Sequence, residues 1–132
     1  MPYGSVLTDT VQSSTANTPP QFNDGNGTQV GTLCRAWVNF NGTGTVAIRS
    51  SFNVSSITDN GTGDYTVNFT NAMPDVNYCV VSSCAEGTET PSGNNSRSLS
   101  PKTLSTTSVR VVNLFGSALA SDLSYEHVAV FR

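Results

Sequence analysis

This sequence predicts an all-β fold, an antiparallel β-sandwich preceded by an extended N-terminal arm, and three observations carry the prediction. Valine outnumbers leucine fifteen to seven, and β-branched side chains suit a pleated, half-buried surface. Apolar residues recur at every second position in short runs, which is the period of a strand with one buried face. Clusters of Gly, Asn, Asp and Pro separate the runs, and no stretch sustains a helical period. A chain of 132 residues is long enough to bury one core.

Residues 1–31 carry Pro19-Pro20 and the run Asp24-Gly25-Asn26-Gly27 among Thr, Ser and Asn, with too few apolar residues to fold alone. They are expected to form an attachment arm that docks through Tyr3, Val6, Leu7, Val11 and Phe22. Residues 32–132 then read as the sandwich. Arg35 to Phe40 is a strand, Asn41-Gly42-Thr43-Gly44 a hairpin connection, and Thr45 to Arg49 its return. Counting onward, Val46, Ile48, Phe52 and Val54 share one face and are expected in the core. Ile57 begins a short strand that ends at Asp59-Asn60-Gly61-Thr62-Gly63-Asp64, where glycines permit a tight reversal.

Tyr65, Val67 and Phe69 then alternate with Thr66, Asn68 and Thr70, the clearest half-buried strand in the sequence. Met73-Pro74 breaks the ladder at a corner, and Tyr78 to Ser83 resumes it. Residues 85–101 form the longest turn-rich stretch, read as a loop that presents Glu86, Thr88, Glu89, Asn94, Asn95 and Arg97 to a receptor. Val109, Val111, Val112, Leu114 and Phe115 mark another strand. A last strand runs from Glu126 to Arg132.

Charged residues make up 11% of the chain, against about 25% in an ordinary soluble domain, and the formal charge is −3. Arg35, Arg49, Arg97, Lys102, Arg110 and Arg132 are scattered singly, which argues against a nucleic-acid partner. The N-terminus has no signal-peptide pattern and no apolar run approaches a membrane span, so neither secretion by signal peptide nor membrane insertion is expected. Cys34, Cys79 and Cys84 fit no zinc or redox spacing and read as buried free thiols.

His127 is the sole histidine, which excludes multi-histidine metal sites, and a structural or interface role is expected for it. No Gly-x-Ser-x-Gly elbow or supported cysteine nucleophile is present, so no catalytic residue, metal or cofactor is expected. The acidic turns at residues 23–27 and 59–64 lack EF-hand spacing and read as plain turns. The Asn-x-Ser/Thr triplets that begin at Asn26, Asn41, Asn53, Asn60, Asn68 and Asn94 read as coincidence in so Asn-rich a chain. Of the aromatics Trp37, Phe40, Tyr65, Tyr78 and Tyr125, most belong to strand patterns, so core or subunit-interface packing is expected over a sugar-stacking shelf, and Trp37 is the one least tied to that packing.

The run from Cys34-Arg35-Ala36-Trp37-Val38-Asn39-Phe40-Asn41-Gly42-Thr43-Gly44-Thr45 to Asp64-Tyr65-Thr66-Val67-Asn68-Phe69 resembles a module at the C-terminal end of many bacteriophage tail-fibre and related virion proteins. The likeness continues through Ala72-Met73-Pro74-Asp75, Asn77-Tyr78 and the closing Val128-Ala129-Val130-Phe131-Arg132. The opening Met1-Pro2-Tyr3-Gly4-Ser5-Val6 is similar to the start of phage tail-fibre chains. This resemblance implies a β-sandwich that works as a homotrimer at an exposed end of the virion. The Thr66 to Phe69 strand with the Met73-Pro74 corner is also similar to trimeric sandwich lectins of the H type, which implies a host cell-surface glycan as partner.

Two functions are therefore expected. The first is a tail fibre or receptor-binding protein that mediates host attachment and is held to other virion proteins by its arm. The second is a capsid decoration, or cement, protein whose arm clamps neighbouring shell subunits. The missing long shaft between arm and sandwich favours a short fibre or a decoration protein over a conventional long fibre. A polysaccharide-degrading enzyme would need a carboxylate pair in a recognisable context, which the sequence does not supply.

Overall fold

The computed structural model describes residues 7–15, 19–87, 97–115 and 121–132, and among them there is no helix. The chain divides into two compact units, Met1–Leu33 and Cys34–Arg132. In the first, β1 (Phe22–Asn23) and β2 (Gln29–Gly31) pair antiparallel, where the leader's composition predicts only an extended segment. Turn chemistry makes the difference. The Asp24 carboxylate accepts from the N–H groups of Asn26 and Thr28, each at 2.9 Å, and the Asp24 N–H donates to the Thr28 carbonyl at 2.8 Å.

The second unit is a sandwich of two four-stranded sheets. One has the order β4 (Ala47–Phe52), β3 (Cys34–Asn41), β10 (Tyr125–Phe131), β7 (Cys79–Ala85); the other has the order β5 (Val54–Asp59), β6 (Asp64–Phe69), β9 (Ser108–Phe115), β8 (Arg97–Leu104). Every neighbouring pair is antiparallel. Alternation along the central strands fills the space between the sheets: Ala36, Val38 and Phe40 meet Val128 and Val130 on one side, and Tyr65, Val67, Val109 and Val111 line the other. Phe40 and Tyr65 touch edge to face, with ring centroids 5.1 Å apart and planes at 75°, the arrangement that ring quadrupoles favour.

The buried Tyr65 hydroxyl donates to Asp122 Oδ1 at 2.7 Å and lies 3.1 Å from the Gly42 carbonyl. A Cβ at Gly42 would sit 2.5 Å from that hydroxyl, so this hairpin residue has room only for hydrogen. Tyr78, packed edge to face on Phe69, lies with its hydroxyl 3.0 Å from the carbonyls of both Ser105 and Ser108.

Three expectations are corrected. Val46, Ile48, Phe52 and Val54 do not share a core face, because the β3–β4 register skips from Asn39↔Ser50 to Phe40↔Ile48 and leaves Arg49 as a bulge. The bulge reverses the phase, so Phe52 lies on the outer face at 54% exposure. The chain then crosses to the other sheet at Asn53, whose φ of 54° is tolerated by an Asx side chain, and Val54 re-enters the core. The Asn53 amide fixes this corner by donating to the Arg35 carbonyl at 3.0 Å, while its oxygen accepts from the Asn71 N–H at 2.7 Å.

Residues 97–101, read as loop, open the strand β8. Pro101 is admitted because β8 is an edge strand, where a missing N–H costs no ladder bond. The three cysteines are free, but they are not buried thiols. Cys79 is exposed, and Cys34 and Cys84 are half-buried, because Cys79 shares the outer face of β7 with Val81.

Asp64 opens β6 and receives Arg110 through two bonds, Nε at 2.7 Å and Nη2 at 2.8 Å, with Lys102 Nζ at 3.3 Å. The Arg110 guanidinium holds the Asp64 carboxyl below its ordinary value. Asp64→Asn is expected to cost about 0.5–1 kcal/mol at neutral pH in urea unfolding. A carboxylate with a depressed folded pKa stabilises fully above its unfolded value of 3.8, so the gap between wild type and variant should close as the pH falls through the folded pKa.

Candidate functional site

Strand alternation that builds the core also decides what the outer face of the β4-β3-β10-β7 sheet displays. The registers Trp37↔Phe52, Trp37↔Ala129 and Ala129↔Val81 place Phe52, Trp37, Ala129 and Val81 in one row across all four strands. Phe52 and Val81 are more than half exposed, and Trp37 is 39% exposed. Large side chains on either side of the small Ala129 leave a shallow open depression of about 360 Å³, lined by Trp37, Asn39, Val81, Ser83, His127 and Ala129.

The next row is polar. Asn39 pairs with Ser50 on one side and His127 on the other, and His127 pairs with Ser83. Bulged Arg49 reaches over the same face: its guanidinium carbon lies 4.4 Å from the Tyr125 ring centroid, a cation–π contact, and its Nη1 donates to Asn39 Oδ1 at 3.3 Å. The Tyr125 and His127 rings run parallel, 4° apart in plane, with centroids separated by 6.4 Å. The outward positions of these strands carry Arg49 and no Asp or Glu, because the one acid of β10, Glu126, points inward.

Such a surface has an apolar row that gains from leaving water and a polar row with donors and acceptors to fix an orientation. His127 and Ser83 are register partners, and among the described residues of these strands no carboxylate faces outward beside them.

The residues singled out in the sequence fall elsewhere. Leu7 is 95% exposed, Val11 is 67% exposed, and Phe22 lies exposed on β1; Tyr3 and Val6 lie outside the described residues. Of the receptor-contact set, Glu86 and Arg97 stand at the two ends of the β7–β8 connection and form an ion pair at 2.8 Å. Thr88, Glu89, Asn94 and Asn95 lie outside the described residues.

Trp37 was the aromatic whose side the sequence did not settle, and Phe52 and Val81 carried no outward signal. Phe52 was hidden by the bulge at Arg49, and Val81 by its place in the continuous apolar pair Val80-Val81, whose outward member only the register reveals. Phe40, Tyr65 and Tyr78 are core residues. The chain matches no known family model, no curated protein and no solved structure, so its functional reading rests on these residues.

Neighbouring ring residues of β3 separate core from surface. Phe40→Ala, which empties a fully buried site, is expected to cost about 3–5 kcal/mol in urea unfolding. Trp37→Ala, whose side chain faces outward at 39% exposure, should cost less than Phe40→Ala in the same measurement.

Proposed function

We propose that this chain is a structural protein of the exterior of a bacteriophage virion, a tail-fibre or receptor-binding protein that mediates host attachment as a homotrimer. The observation that carries this reading is the unpartnered row Phe52, Trp37, Ala129 and Val81 on a rigid sheet with no acidic side chain facing out. Exposed apolar residues clustered on an otherwise polar protein mark a contact surface. Three copies that turn this row toward a common threefold axis would bury it against one another without the need for a new partner.

The tail-fibre-like segment from Cys34 to Phe69 supports the viral assignment, and it includes β3 and β4, two of the strands that build the face. The arm supports attachment to other virion proteins, since Leu7, Val11, Phe22 and Val30 hold their apolar surface out to solvent. The β7–β8 connection, whose ends are joined by the Glu86–Arg97 ion pair, is the segment we assign to a host glycan, and several copies on one particle add avidity to weak sites. No chemistry is assigned to the chain in this reading.

A second reading, the capsid decoration protein, is favoured by the near-complete exposure of Leu7, since an arm of this kind stabilises a shell through burial alone. Copy number separates the two: a decoration protein approaches the count of the capsid protein, and a fibre is present in tens.

Sedimentation equilibrium of the purified chain should give the trimer mass, and Val81→Lys, which places a charge in the apolar row, should give the monomer with an unchanged β spectrum. Trp37 is the sole tryptophan, so its emission should move to the red when trimers dissociate on dilution. A wild-type monomer with quenchable Trp37 emission at every concentration would remove the self-association reading. Labelled antibody against the chain should decorate intact phage particles at the tail.

A further inference from the structure

The alternation that sends Val128 and Val130 into the core also sends Glu126 there. Glu126 is fully buried, opposite Phe40 of β3 and Cys84 of β7, and it faces Asn113, which points inward from β9 at 1% exposure. The Asn113 side-chain amide spends both of its hydrogens: Nδ2 donates to Glu126 Oε1 in a short bond and to the Ser121 carbonyl at 2.9 Å. Two buried oxygens are then left with no hydrogen-bond partner, Asn113 Oδ1 and Glu126 Oε2.

Both orphans are acceptors, and an ionised carboxylate has no hydrogen to give. Leaving two acceptors unsatisfied in a sandwich core is expensive. One proton removes both deficits. A protonated Oε2 donates to Asn113 Oδ1 while Asn113 Nδ2 donates to Oε1, which gives the paired ring of two antiparallel hydrogen bonds that a carboxylic acid makes with a primary amide.

We propose that Glu126 is held as a neutral acid in the folded protein and closes an acid–amide clasp with Asn113, which ties β10 of one sheet to β9 of the other and opens when the proton is lost. The groups around it fit this assignment. Burial first pushes the Glu126 carboxyl up, to about 7, with the Asp122 charge adding to the effect against hydrogen bonds from Asn113 and the Leu123 backbone. Tyr65 of β6, itself pushed up by burial and by its bond to Asp122, stays a neutral donor. Cys84 of β7 is likewise pushed up, first by burial, so it too stays neutral. Arg97 of β8 lies beside Cys84 and is engaged with Glu86.

The sign of the pH dependence follows. A carboxyl whose folded pKa lies above its ordinary 4.5 stabilises fully below that value, and the contribution is lost as the pH rises through about 7. The fold is therefore fastened in acid and loosened on the alkaline side of neutrality.

Glu126→Gln keeps the shape of the clasp with an N–H in place of the O–H and cannot titrate. The melting temperature of the wild type should fall by roughly 5–10 °C between about pH 5 and pH 8, while Glu126→Gln stays level and matches the wild type at the acid end. On the wild type itself, carboxyl carbon resonances of labelled glutamate should show one residue protonated at about pH 6 that titrates near neutrality. A difference between wild type and Glu126→Gln that does not change with pH, or a Glu126 resonance already ionised at about pH 6, would overturn the proposal. The resonance measurement decides the matter even where the variant fails to fold.

Discussion

The contact between the inward faces of β3 and β6, centred on the rings of Phe40 and Tyr65, is the constraint from which the rest of this sandwich follows. Both rings are fully buried and meet edge to face across the two sheets. Side chains in an unbulged strand alternate, so a ring committed to the interior commits its neighbours as well. Phe40 inward places Val38 and Ala36 inward and turns Asn39 and Trp37 outward. Tyr65 inward does the same for Val67 and Phe69, and its hydroxyl then needs the partners it finds at Asp122 and beside Gly42. One buried pair thus fixes the register of two strands and the closure of the loops at one end of the core.

How much of this was legible in the sequence depended on whether alternation ran unbroken. In β6 it does, and there Tyr65, Val67 and Phe69 were recognisable as they stand; β10 was recognisable as a strand, but nothing in its sequence marked Glu126 as inward. In β4 a single bulged residue, Arg49, reverses the phase, and counting by twos through it assigns Phe52 to the wrong side. No local propensity marks such a bulge, because it is set by pairing with β3, a relation between segments that the sequence does not spell out. β8 was missed for a related reason: Pro101 is a strand breaker in a central strand and acceptable at an edge, and edge position belongs to topology. The arm's hairpin was hidden by its composition, although the Asp24 turn that forms it was plain.

The candidate face was legible only in part, and for the same reason. Trp37 stood out only as the aromatic least tied to the core pattern. Its companions Phe52, Ala129 and Val81 come from three other strands, and only the registers that join them make a row. The apolar side chains supply area, and Arg49 over Tyr125 stiffens the neighbouring part of the face by engaging Asn39 as well. A surface preordered in this way loses little side-chain entropy when it is covered.

The outer face and the inner clasp are linked through β10. This strand lies between β3 and β7 and carries His127 and Ala129 outward, while Glu126, Val128 and Val130 point inward. A slip of one residue would bring Glu126 out and His127 in, exchange the depression's floor for valine, and leave Asn113 without its acid. Val128 and Val130 already oppose that slip, since it would turn them out to water and bury His127 in their place. A buried acid with a single matching amide adds to this, since only one register satisfies both groups. The strand that supplies the centre of the face is thus located by a polar pair on its opposite side, and whatever loosens that pair acts on the face without touching it.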